Sequence, residues 1–145
     1  MIYVVDASVG VKWFIEEEYS KEADDLLADF ANGYVDLIAP KLFIIEFCNA
    51  IRKYVVRGHL KAMLAGGYVE KMCEVPISYV EIDWNLVKKA YRKAVELGIT
   101  VYDALYVVIA NEKNGAIITA DNKLYRQLKD HTRIIHIKDY RRQQH

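Results

Sequence analysis

Short β-branched runs alternate along the chain with longer stretches of helical period. Ile2–Val5 (IYVV) is apolar at every position and closes at Asp6, as a strand buried on both faces does. Ser8 is the candidate N-cap of a helical stretch VGVKWFIEE. SKEADDLLADFANG starts at Ser20, places Ala23, Leu26, Leu27 and Phe30 on one face, and stops at Gly33. VDLIAP is a second strand, closed by Pro40. A long helix over KLFIIEFCNAIRKYVVRG ends at Gly58, and LKAMLAGGYVEKMCE forms another, weakened in its middle by Gly66 and Gly67. ISYVEID is a third strand. WNLVKKAYRKAVELG is an amphipathic helix with its stop at Gly98, and a helix follows from about Val101 to Asn114. AIITAD is a fourth strand, NKLYRQLKD a short helix and RIIHI a fifth strand; the tail from about residue 139 reads as frayed and solvated. This alternation predicts one α/β domain over residues 1–145, built on a mainly parallel sheet of roughly five strands.

Composition narrows the class. A chain of 145 residues with 53% hydrophobic content can bury a sizeable core without staples. No apolar run is long enough to span a bilayer, and MIYVVDASVG lacks the basic start and cleavage site of a signal peptide, so a cytoplasmic protein with no membrane partner is expected. Cys48 and Cys73 have no metal-binding spacing and are expected free. The formal net charge is +0, whereas nucleic-acid binders are usually basic; an acidic pocket on a basic face would give the same sum.

Four acids stand against the hydrophobic pattern. Asp6 and Asp121 end the strands YVVD and IITAD, where ligands of open parallel sheets bind. Asp103 interrupts the apolar segment TVYDALYVVIA, and Glu46 lies inside LFIIEFCNAI with Asn49 on the same helix face. Each acid has an ordinary structural explanation. Asp103 follows Thr100 at capping-box spacing, Asp6 and Asp121 suit loop amides or N-caps, and Glu46 suits a buried pair with a Lys or Arg. Carboxylates brought together repel, and a divalent cation relieves that repulsion. Mg²⁺ or Mn²⁺ takes one or two carboxylates directly and suits phosphate chemistry.

VVDASVGVKWF, PKLFIIEFCNAI, VYDALYVVIA and IITADNKL together resemble the successive signature blocks of PIN domains, in order and spacing, and within that family the VapC toxins of toxin–antitoxin pairs. The resemblance covers almost the whole chain. It implies a three-layer α/β/α fold and a Mg²⁺- or Mn²⁺-dependent endoribonuclease. Asp6, Glu46, Asp103 and Asp121 match the family's four acids, with Asp6 and Asp103 as the direct metal ligands. Glu46 and Asp121 would act through water or as general base. Thr119, Ser8 and Asn49 match its supporting polar positions. Ala7 stands where many members carry Asn or Thr, with no expected loss. The products would be a 5′-phosphate and a 3′-hydroxyl.

Lys12, Lys123 and Arg126 are candidate cations for RNA phosphates, and Trp13 is a candidate stacking platform, although Trp13 and Phe14 also suit a core or a dimer interface. The resemblance further implies a homodimer and a cognate VapB-like antitoxin, whose peptide would lie in an apolar groove near Trp13, Phe14 and the helix after Ser20. Rival readings are a structure-specific DNA nuclease, a receiver-like Mg²⁺-binding signalling module, and a binding protein whose acids are structural. The receiver reading lacks the phosphate-gripping Lys at the end of the fourth strand, where Asp121 stands.

Overall fold

The computed structural model describes residues 1–143. Strand β1 (Ile2–Val5) leads into the one-turn helix α1 (Ala7–Val11) and then α2 (Ser20–Ala31). Next come β2 (Asp36–Pro40), α3 (Leu42–Val56), α4 (Ala62–Glu74) and β3 (Ser78–Val80). Helices α5 (Trp84–Leu97) and α6 (Val101–Glu112) follow, then β4 (Ala116–Thr119), α7 (Asn122–Leu128), β5 (Ile134–His136) and a 3₁₀ turn at Ile137–Asp139.

The five strands pair in the order β3-β2-β1-β4-β5, all parallel. Alternate side chains feed two cores. Tyr3, Val5, Leu37, Ala39 and Ile118 face α1–α4, while Val4, Ile38 and Ile117 face α5–α7. The result is the expected three-layer α/β/α arrangement. Because the chain runs outward from β1 to β3 and then restarts at β4 beside β1, the topological switch point lies between the carboxyl ends of β1 and β4.

Several expected boundaries shift. Ser8 does not cap the first helix: Asp6 does, accepting from the Ser8 N–H, and the helix stops at Val11 instead of running on through Glu17. Helix α2 starts at Ser20 as expected; the Ser20 hydroxyl accepts from Glu17 N–H at 2.9 Å and donates to Ile15 O at 3.2 Å. Helix α4 passes unbroken through Gly66 and Gly67.

From Tyr140 to Gln143 the tail is docked, not frayed; residues 144–145 of the expected tail lie outside the described residues. Tyr140 is buried and donates its hydroxyl to Asp29 at 2.6 Å; Gln143 N–H donates to the same oxygen at 2.9 Å. Arg142 Nε stands 3.4 Å from the other oxygen. Among the described residues no single helix is long and apolar enough to cross a membrane.

Candidate active site

The switch point is tied together by two hydroxyls and one carboxylate. Asp6 turns out of β1 with extended backbone, and its Oδ1 accepts from the Ser8 N–H at 3.0 Å and from the Ser8 hydroxyl. Its Oδ2 accepts from Thr119 Oγ1 at 2.5 Å, across to the end of β4. The Thr119 hydroxyl accepts from Asp121 N–H at 3.0 Å, and Ser8 Oγ accepts from Ala120 N–H at 2.9 Å. Each hydroxyl has one hydrogen, and both hydrogens go to Asp6. Asp6 is therefore clamped from both strands.

The other acids come from helix ends and one helix interior. Asp121 caps α7, its Oδ1 accepting from Lys123 N–H at 2.9 Å and Leu124 N–H at 3.1 Å. Asp103 lies in the first turn of α6, where Thr100 Oγ1 accepts from its N–H at 3.1 Å. Asp103, Asp121 and Lys123 line one open groove of about 420 Å³. Glu46, half-buried on α3, accepts from the Tyr106 hydroxyl of α6 at 2.7 Å. Its partner is thus a phenol and not the Lys or Arg that a structural explanation expects.

Burial dominates the electrostatics. It pushes the Asp6 carboxyl up to about 6; the Ser8 and Thr119 hydroxyls pull it down, and the charges of Glu46 and Asp121 push it up again. Glu46 is raised by burial and by Asp103, against the Tyr106 hydrogen bond. Asp103 is raised by burial and by Asp121, against its bond to Thr100 and the nearby Lys123. Asp6, Glu46 and Asp103 are thus each pushed up by burial and by the charge of a neighbouring acid.

An all-oxygen donor set of this kind suits a hard divalent cation. Among the described residues no three acids already converge closely enough to enclose an ion. The set therefore fits a site that holds an ion with one or two carboxylates and completes it with water. Three of roughly four lone-pair positions on Asp6 are occupied, which leaves it one free for a ligand.

Residues 3–129 match the family model of the PIN domain. The chain belongs to the PIN-domain family. A curated PIN relative, Ribonuclease VapC3 of Pyrobaculum aerophilum, is 32% identical over 130 residues, which cover 86% of this chain and 92% of that protein. The crystal structure of PAE2754 from Pyrobaculum aerophilum superposes with a TM-score of 0.69 at 24% identity, covering 95% of this chain and 93% of that one. VapBC2 from Rickettsia felis, bound to a DNA fragment from its promoter, superposes with a TM-score of 0.64 at 13% identity, covering 94% and 98%. PIN-domain ribonucleases are generally dependent on a divalent metal.

Within this PIN domain the expected supporting and substrate-binding residues divide. Ser8 and Thr119 hold Asp6, as the hydrogen bonds above describe. Asn49 is exposed, and the hydrogen bond to Glu46 comes from Tyr106 instead. Lys123 lines the acidic groove, whereas Arg126 is exposed on α7 outside it. Lys12 is not a free arm for a phosphate. It is buried, with Nζ 3.1 Å from Glu17 and donating to Glu18 O at 2.6 Å.

Trp13 is half-buried. It packs against the core and donates its Nε1–H to Ala23 O at 2.8 Å, and Phe14 packs on Phe47 and Tyr68. On the helix after Ser20, Leu27, Phe30 and Ala31 line an apolar groove of about 560 Å³ together with Val75 and Pro76. Large exposed apolar side chains lie on α3 and α4, at Ile45, Val56 and Met63, and on α5, at Trp84, Tyr91 and Val95. Tyr106 was not legible as a site residue, because a Tyr among Leu105, Val107 and Val108 reads as core. Its position three residues after Asp103, on the same helix face, is the signal that points to it.

Proposed function

We propose that this PIN domain is a metal-dependent endoribonuclease, the toxin of a VapBC-like pair. The supporting observation is the clustering of four acids around the carboxyl ends of β1 and β4, with Asp6, Glu46 and Asp103 raised in proton affinity, in a chain 32% identical to a ribonuclease. Asp6 and Asp103 would hold the cation directly, with Glu46 and Asp121 acting through water. Mg²⁺ or Mn²⁺, when bound, polarises the phosphoryl oxygen and lowers the pKa of water.

The chain's own groups do the rest. Ser8 and Thr119 fix the orientation of Asp6. Tyr106 fixes Glu46, whose raised proton affinity suits it to accept the proton of the attacking water. Water oxygen bonds to phosphorus, the bond to the ribose 3′-oxygen breaks, and that oxygen takes a proton. A 5′-phosphate and a 3′-hydroxyl result. A VapB-like antitoxin is the expected protein partner, and a second copy of the chain is the expected cover for Trp84, Tyr91 and Val95 on α5.

Cleavage of labelled single-stranded RNA tests the reading, with Mg²⁺ or Mn²⁺, with EDTA, and with Asp6→Ala and Asp103→Asn. Metal-dependent cutting that both substitutions reduce at least 100-fold is expected. Cutting that survives EDTA or both substitutions would overturn it.

A further inference from the structure

A second groove, of about 510 Å³, opens at Ser8 and Ala120, the two residues hydrogen-bonded to each other beside Asp6. Its wall is the C-terminal half of α3, where Lys53, Tyr54 and Arg57 share a helix face with Ala50. His59 lines it as well. Gly58, at φ +77°, ends α3 in the left-handed conformation, and His59 N–H then donates back to Tyr54 O at 2.9 Å.

The groove is cationic. Its one acid, Glu17, is already neutralised: Lys12 Nζ lies 3.1 Å away and the Tyr54 hydroxyl donates to its other oxygen. Lys53 and Arg57 are exposed and enter no ion pair among the described residues. Like charges four residues apart on a helix repel one another. The C-terminal dipole of α3 offsets part of that repulsion, but it does not account for a face that opens onto Ser8. A polyanion approaching four carboxylates needs cations next to them, and the chain has no net charge to supply a general attraction.

We propose that this groove binds the backbone phosphates of the RNA strand flanking the scissile bond, with Lys53 and Arg57 as the phosphate-binding cations and His59 as a further polar contact. The inference rests on the nuclease reading. The guanidinium of Arg57 can grip a phosphate with two parallel hydrogen bonds, and Lys53 acts as a point charge. Lys123 supplies a cation in the other groove, with Asp103 and Asp121. The groove therefore carries the substrate-binding function that the buried Lys12 cannot.

The test is equilibrium binding of a fluorescent single-stranded oligoribonucleotide in EDTA, across a salt series, by anisotropy. Wild type is compared with Lys53→Ala/Arg57→Ala, with Arg57→Lys and with Lys129→Ala as an exposed control. Removing two phosphate contacts should weaken binding by about 10-fold to 100-fold. It should also reduce the slope of log affinity against log salt by about 1.4. Arg57→Lys should keep most of the slope, and Lys129→Ala should change neither quantity. In metal-loaded cleavage the double variant should raise KM with kcat within about threefold.

An unchanged slope in the double variant, an equal loss in Lys129→Ala, or no RNA binding by wild type would overturn the proposal. A slope change without any metal-dependent cutting by wild type would leave the groove standing and sink the nuclease reading. Unchanged thermal melting of the double variant shows that the loss is not unfolding.

Discussion

Asp6 carries the strongest conflict of any single side chain here. Three donors favour its charge, yet burial and two neighbouring acids disfavour it more, so its carboxyl moves from 3.8 to about 6. The folded state thus prefers the protonated form. The stability this contributes is complete below about pH 4 and is lost as pH rises through about 6. Two units correspond to about 3 kcal/mol at most. In EDTA, wild type is expected to lose about 1–3 kcal/mol between pH 5 and 8 that Asp6→Asn does not lose, measured by urea denaturation. Mn²⁺ should restore the melting temperature of wild type at pH 8 and do little at pH 5. A pH profile shared by wild type and variant would remove Asp6 as the cause. The four acids were legible in the sequence because each breaks a local pattern. Tyr106 was not, since its hydroxyl acquires a role only when α6 lies against Glu46 of α3.

At the scale of elements, the break between α5 and α6 positions Asp103. Gly98 ends α5 at φ +66°, a conformation that side chains with a Cβ resist, and Ile99 N–H returns to Ala94 O at 3.1 Å. Thr100 then caps α6 through the Asp103 N–H. Replacing Thr100 with Ala should cost about 1 kcal/mol, a melting shift of about 3 °C by scanning fluorimetry. It should also slow metal-dependent cleavage about 10-fold, because the first turn that aims Asp103 loosens. Cleavage at the wild-type rate would separate the cap from the chemistry. Both stops, Gly58 and Gly98, were readable because a helix end leaves its mark in local residues. The length of α1 was not: Asp6 is held at the strand end by Thr119, 113 residues away, and starts the helix there.

For the whole molecule, the C-terminal segment acts as a clamp. Asp29 is fully buried on α2, and its charge is held by the Tyr140 hydroxyl, the Gln143 N–H and Arg142, which together outweigh burial and keep its carboxyl below the usual range. Tyr140 also stacks edge-on against Tyr3 of β1. Truncation after Asp139 strands a buried acid and exposes Tyr3, so a loss of about 3–5 kcal/mol is expected by chemical denaturation. Asp29→Asn should recover part of that loss in the truncated chain. A truncation that melts like the full chain would show the tail to be dispensable.

The sequence by itself determined the elements and the parallel sheet and singled out the four acids proposed for the site, because strand runs, helix periods and misplaced charges are local signals. Tertiary structure alone decided which side chains remain available. Lys12 and Trp13 look free in a linear reading, but folding brings Glu17, Glu18 and Ala23 to their polar atoms and fills them. Lys53 and Arg57 look like an ordinary solvated helix face, yet the packing of α3 beside the end of β1 opens them onto Ser8. A residue's chemistry is written in its own atoms, whereas its partners are chosen by long-range closure of the chain. For that reason the four acids could be singled out from the sequence, and the groove at Lys53 and Arg57 could not.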